Sequence, residues 1–476
     1  MRPAPHKTAI SPALALWLTA SAGAFVVVSQ IVLAAMAPDF THASAMSIAT
    51  VLPLILLIAA PSAVTLAAAP CLLRLSDQER ALIAVIAVGC VIRLIWFFAP
   101  PMIEDDFYRY LWDGAVLAHG YNPYAHSPAD VLAGNAPETL KNLAAESGQI
   151  VSLINFPALR SIYPGTAEAL FAVSHWFAPW DVNGLRALFF GAELATLYLI
   201  VRLLRKLGLS PVWSALYWCN PFPAVMLVGQ AHMDALVPPF VLGAILMSWR
   251  GWYALAGALL ALAAGVKLWP VLLTPLLFRP ILFNVGRLIP AAAATGAVLL
   301  LVAGPLLLSS LSAQSGLTAY AAGWANNNAP YTWTLWTLKA AFGDGAGVEK
   351  ALRLTLAIAG GVVALAVALR PANTLGEVLQ RALIVAAVVF YLSPAQFPWY
   401  AAWFLPLAAL ALNWPLLAAS ALLPAYYLFF PLWQTGRGDL FMFWAAFIHS
   451  APVFIWLALR FATSPGMTAS PVSARS

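Results

Sequence analysis

Apolar runs recur along this chain at 12–36, 48–73, 81–100, 184–203, 232–249, 287–308, 353–370, 379–393, 399–413, 415–431 and 440–460. A helix that crosses the hydrocarbon core of a bilayer needs about 20 mostly apolar residues. Three further runs, 166–178, 211–229 and 252–278, are short or broken by Pro, Gly or Trp, as in "YWCNPFPAVM" and "GVKLWPVLLTP". The pattern predicts an all-α multi-pass membrane protein with about 12–14 transmembrane helices, half-helices and interfacial helices among them. Composition agrees: 62% of residues are hydrophobic and 9% charged, against roughly 25% charged in a soluble domain. Such a chain cannot cover itself with polar surface, so its solvent is the lipid bilayer.

No soluble domain interrupts the runs, and 1–476 reads as one integral membrane domain. Within it, 1–100 holds the N-terminal spans, 101–165 a first outer loop and 166–308 the central spans. A second outer loop follows at 309–352, and 353–476 holds the C-terminal spans. Both loops have room for short amphipathic helices. The first run follows the basic start "MRPAPHK" and exceeds the roughly 7–15 apolar residues of a signal peptide, so it reads as a retained span rather than one cleaved near "HASAM".

Cationic residues orient the chain. With a cytoplasmic N-terminus, about 14 of the 24 Lys and Arg fall inside and about 9 outside, with Arg93 inside a span. About 14 of the 18 acidic residues fall outside. The segments with chemical character then share the outer face: "EDDFYRY", "GQAHMDAL", "GVKLW", "GWANNNAPYTW" and "SPAQFPWY". This predicts a single outward-facing site. The net charge of +6 is scattered between apolar runs and forms no stripe, so no nucleic-acid partner is expected. Cys71, Cys90 and Cys219 lie in apolar runs without ligand spacing and read as small core residues.

The stretch "MIEDDFYRYLWDGAVLAHGYNPY" (102–124) crowds Glu104, Asp105 and Asp106 at the end of a hydrophobic run. A helix is expected to start after Asp105, a favoured N-cap residue, and to stop at "HGYNP". Asp106, Tyr110 and Asp113 then share a face, and Asp105 is spaced to pair with Arg109. For Glu104, Asp105 and Asp113, capping a juxtamembrane helix is a sufficient role. The following Tyr108, Tyr110 and Trp112 suit either sugar contacts or the membrane interface.

Other candidate positions carry two readings each. Lys267 interrupts an apolar run and would neutralise an anionic group, or else snorkels to the interface. His232 and Asp234 contact a polar ligand, or cap a helix. Asn326, Asn327 and Asn328, beside Trp324 and Tyr331, hydrogen-bond a polar ligand or form a turn. Gln396, Trp399 and Tyr400 bind substrate or belong to an aromatic belt. Arg160 is a further cationic candidate. Glu193 sits inside a span as an isolated buried acid with no role beyond packing.

The run from Asp106 to Tyr124, "DFYRYLWDGAVLAHGYNPY", resembles the first outer loop of bacterial membrane mannosyltransferases that use polyprenyl-phosphate sugars and have the type-C glycosyltransferase fold. "IYPGTAEALF" (162–171), "GQAHMDAL" (229–236), "GVKLWPVLLTPLLF" (265–278) and "SPAQFPWYAAWFLPL" (393–407) follow in the family's order. The resemblance spans roughly residues 90 to 410 and departs from the pattern at Gly165, where relatives often have a second Pro, and at Phe397, where they often have His. It implies a bacterial cytoplasmic-membrane enzyme with an outward, periplasmic site. Its partners would be a polyprenyl-phosphate-linked sugar donor and a glycan or glycolipid acceptor. The chemistry implied is inverting hexosyl transfer, mannose being the expected sugar, with Asp106 as general base and neither cofactor nor metal. Asp105, Arg109, Tyr110, Lys267, His232, Asp234, Trp324, Asn327, Gln396, Trp399 and Tyr400 are the expected substrate-binding residues. A lipid-linked sugar flippase would instead place ionisable residues near the midplane in two matching halves. A glycan polymerase or ligase would place Arg and His in the large outer loop at 309–352.

Overall fold

The computed structural model describes residues 10–41, 47–311 and 315–463. "MRPAPHK" and "HASAM" lie outside the described residues. Regular structure among the described residues is helical, apart from one isolated parallel bridge between Asn326 and Ala395. Among the described residues, eight helices are long and apolar enough to cross a membrane: Pro12–Asp39, Ile48–Arg74, Gln78–Phe98, Val182–Lys206, Val285–Val302, Ala346–Leu369, Leu375–Leu392 and Trp414–Gln434. Two bent pairs, Pro221–Gly229 with Met233–Trp249 (109°) and Gly438–Phe447 with Ala451–Arg460 (45°), bring the number to ten if each is one span. The chain is an all-α multi-pass membrane protein.

The remaining apolar runs of the twelve to fourteen expected form shorter elements. The run at 399–413 becomes the tight turn Pro398–Trp403 and the six-residue helix Leu405–Leu410. Both are buried in protein, so their apolar character reflects protein packing rather than lipid. Likewise 166–178 forms only the 13-residue helix Gly165–Phe177. The run 252–278 divides into two short pieces, Tyr253–Ala264 and Trp269–Ile281.

A cation inside one span has a buried acid as its partner, as a low-dielectric interior favours. Arg93, from Gln78–Phe98, meets Glu193, from Val182–Lys206, with Nη2 2.6 Å from Oε2, and both side chains are wholly buried. Tyr217 donates its hydroxyl to Glu193 Oε1 at 2.6 Å, and Arg93 Nη1 donates to the Trp218 carbonyl at 2.7 Å. The guanidinium also sits 3.5 Å from the Trp218 ring centroid. Glu193 is therefore not the isolated acid read from sequence. Its partner lies 100 positions earlier, where spacing rules within one helix do not reach.

Two glycines fix the layer that carries the site. The 101–165 segment folds into the helices Asp106–Ala118, Pro128–Leu132 and Glu138–Glu146. Trp112, Val116, Val131, Leu140, Leu143 and Ile154 form a small core between them. Trp112 is thus a packing residue rather than a sugar or interface contact. The Asp106–Ala118 helix lies against Gly165–Phe177 at Gly114, where an added Cβ would stand 2.5 Å from the Phe171 carbonyl oxygen. In turn Thr166 and Ala167 donate their backbone N–H groups to the Gly265 carbonyl at 2.9 and 3.1 Å. Those N–H groups open a helix and have no partner within it. A Cβ at Gly265 would fall 2.1 Å from Thr166 Oγ1. This contact joins "IYPGTAEALF" to "GVKLW" and places Lys267.

Candidate functional site

A cavity of about 510 Å³ opens beside the first turn of the Asp106–Ala118 helix. Its wall takes Glu104, Asp105, Asp106, Arg109 and Tyr110 from that segment and Asn155 and Arg160 from the loop beyond it. Lys267, Tyr320, Trp324 and Asn326 come from farther along, and Phe397, Trp399, Tyr400, Tyr426 and Phe430 complete the wall. Four of the five segments singled out in the sequence contribute directly. The fifth, "GQAHMDAL", packs immediately behind.

Asp106 occupies the first helical position, with Asp105 as N-cap. Asp105 makes no capping bond with its side chain. Instead the Asn155 amide donates to Asp105 Oδ1 at 2.7 Å and to Asp106 Oδ1 at 3.1 Å. Asp106 Oδ2 lies 3.7 Å from His232 Nδ1, and 26% of the Asp106 side chain stays accessible. Burial, and next the Asp105 carboxylate, push the Asp106 pKa up to about 6, while the Asn155 hydrogen bond and the Lys267 charge pull it down. A carboxylate so tuned is mostly ionised at neutral pH yet basic enough to take a proton.

Arg109 pairs with Asp113, not with Asp105: its Nε stands 2.9 Å from Asp113 Oδ2, and both side chains are buried. Asp105 and Asp113 are both four residues from Arg109, so spacing does not choose between them. Burial does, because Asp113 is sealed inside, where an unpaired charge would be costly. Arg109 Nη2 also donates to the Leu159 carbonyl at 2.8 Å, fixing the loop that presents Asn155 and Arg160. Asp113 therefore braces the helix from inside and does not cap it. Tyr110 stacks on Phe171, centroids 4.6 Å apart at 12°.

The break between Pro221–Gly229 and Met233–Trp249 carries Ala231 at φ 55°, a left-handed conformation strained for a residue with a Cβ. It turns His232 and Asp234 toward the cavity's rear. Both are wholly buried and stand behind the cavity wall rather than on it. His232 stacks on Trp399 (3.8 Å, 9°), which stacks on Phe397 (4.8 Å, 7°). Asp234 Oδ1 accepts the Trp403 indole N–H at 2.7 Å and lies 3.7 Å from Lys267 Nζ. Lys267 Nζ also sits 4.4 Å from the Tyr400 ring centroid. Tyr400 shares a 2.5 Å hydroxyl contact with Tyr320. Lys267 thus stands on an aromatic and a carboxylate, with its ammonium group presented to the cavity.

Asn327 and Gln396, expected as ligand contacts, serve the scaffold. Asn327, at φ 56°, donates its amide to the Gln396 carbonyl at 2.8 Å, and the Gln396 amide donates to the Tyr391 carbonyl at 3.0 Å. Neighbouring Asn326 is the one on the cavity wall, and its Oδ1 is buried without a hydrogen-bond partner. Asn155, Tyr320, Trp403 and Tyr426 had not been expected at the site. Among the described residues, no three His, Cys, Asp or Glu side chains gather in a way that could hold a metal ion.

Fold and site together define a multi-pass membrane protein with a polar, aromatic-walled cavity holding a carboxylate and a lysine. Residues 162–281 match the family described as alpha-(1->6)-mannopyranosyltransferase, N-terminal domain. This match supports a mannosyltransferase family and a glycosyltransferase activity for the chain. The matched segment contains Tyr163, His232, Asp234 and Lys267, while Asp106 precedes it. No curated protein matches the chain.

Proposed function

We propose that the protein is an inverting mannosyltransferase that takes mannose from a polyprenyl phosphate and delivers it to a glycan or glycolipid. The type-C glycosyltransferase arrangement and a site on the outer side of a bacterial cytoplasmic membrane belong to the same proposal. The carrying observation is the joint presence of Asp106 and Lys267 on one cavity wall, backed by the aromatic side chains of Phe397, Trp399 and Tyr400. The excess of cations on the opposite set of loops supports the outward orientation.

In this reading Asp106 takes the proton of the acceptor hydroxyl as its oxygen bonds to the anomeric carbon. The bond from that carbon to the phosphate oxygen breaks on the opposite face, and the polyprenyl phosphate leaves with the electron pair. General-base help of this kind contributes about 10²–10⁴-fold. Lys267, held by Asp234 and Tyr400, supports the charge growing on the leaving phosphate. The donor is already activated, so the residues needed are a base, a cation and surfaces that orient two sugars.

The test is transfer by the bilayer-reconstituted protein from a labelled panel of polyprenyl-phosphate sugars to mannose-containing glycans. Incorporation with mannose preferred supports the reading. Movement of lipid-linked sugar across the vesicle, without transfer from any donor, would replace it with a flippase.

A further inference from the structure

Glu104 is the first of the three consecutive acids and has the least obvious role. It is 8% exposed and lines the cavity. Its Oε1 is sealed from solvent without a hydrogen-bond partner. Three donors of the site are engaged by other carboxylates: the Asn155 amide by Asp105 and Asp106, Arg109 by Asp113, and Lys267 by Asp234. A buried carboxyl beside two others, with no cation paired to it, does not keep a negative charge. Burial first, then Asp106 and Asp105, raise its pKa well above the ordinary carboxylate range. Tyr426 lines the same cavity.

We propose that Glu104 is an uncharged carboxyl that binds one hydroxyl of a pyranose in the cavity, making it a selectivity residue for the sugar. The inference rests on the transferase reading and deepens it. An uncharged carboxyl offers one O–H donor and one acceptor oxygen, which matches a hydroxyl that both gives and receives a hydrogen bond. A site that leaves a buried polar group unpaired when the hydroxyl is missing discriminates strongly against the deoxy analogue. The three acids then divide their tasks. Asp106 takes the proton, Asp105 tunes it and shares its Asn155 clamp, and Glu104 selects the sugar. The pyranose is that of the donor or of the acceptor, and separate titrations distinguish them.

The test titrates the bilayer-reconstituted protein with a short-chain isoprenyl-phosphate mannose and, separately, with an α-linked mannose disaccharide, following the fluorescence of the cavity tryptophans. Glu104→Ala should weaken binding of one probe at least tenfold and leave the other within threefold. Glu104→Gln, which keeps a neutral donor and acceptor, should recover most of that loss. In turnover, the acidic limb of the pH profile should stay in place in Glu104→Gln. Equal binding of both probes by wild type and Glu104→Ala would overturn the role of Glu104 and leave the transferase reading standing. A limb moved to lower pH in Glu104→Gln would show that Glu104 is charged and would equally overturn it. Failure of the wild type to bind either probe would sink the sugar-binding reading of the cavity and this inference with it.

Discussion

Lys267 Nζ lies 3.7 Å from Oδ1 of Asp234, a wholly buried carboxylate whose other contact is the Trp403 indole at 2.7 Å. The pair explains how an ammonium group can be held beside an apolar helix bundle without collapsing onto the interface. If Lys267 supports a leaving phosphate, Lys267→Ala should lower kcat about 10²-fold, the scale of removing one transition-state donor. Asp234→Asn keeps an acceptor for Trp403 but releases the lysine, and a misplaced group of this kind costs up to about 10²-fold. Steady-state kinetics on both variants, with the fold monitored by circular dichroism, check this.

The pH profile tests the environment of Asp106. A base with a pKa of about 6 is active when ionised, so turnover should rise through pH 6 and be about tenfold below its plateau at pH 5. Neighbours move that limb in opposite directions. Asp105→Asn removes a charge that opposes ionisation and should shift the limb to lower pH. Asn155→Ala removes a hydrogen bond that favours the ionised form and should shift it to higher pH. Rates measured from pH 4.5 to 8 in both variants would show the two shifts.

Inside the bundle, Arg93 and Glu193 predict a stability effect rather than a kinetic one. Glu193→Ala strands a buried guanidinium and should cost about 3–5 kcal/mol, whereas replacing both residues by apolar ones of similar size should recover much of it. Thermal unfolding in detergent of the single variant, the paired variant and wild type measures the difference.

Much of the site was legible because its parts are local. The helix beginning at Asp106 follows from the acids and the aromatic face after them, and the stop at "HGYNP" coincides with Gly120 at φ 81°. Lys267 stood out because cations are rare in apolar runs. What stayed hidden depends on contacts between distant segments. Asn155 is one polar residue in a loop, and nothing nearby announces that its amide clamps two acids 49 and 50 positions earlier. Trp403 lay in an apolar run that looked like a span, while its indole reaches Asp234 across 169 positions. The triple Asn misled in register. Asn327 takes the left-handed turn and Asn328 caps the next helix, which leaves Asn326 facing the cavity.

The most direct measurement is incorporation of labelled mannose from polyprenyl-phosphate mannose by wild type and Asp106→Asn, reconstituted at equal amounts in bilayers. Asparagine preserves the shape and an acceptor for Asn155 but cannot take a proton at neutral pH. Turnover should fall at least about 10²-fold, with donor binding within threefold of wild type. Full turnover by Asp106→Asn would contradict the role of this carboxylate as the base.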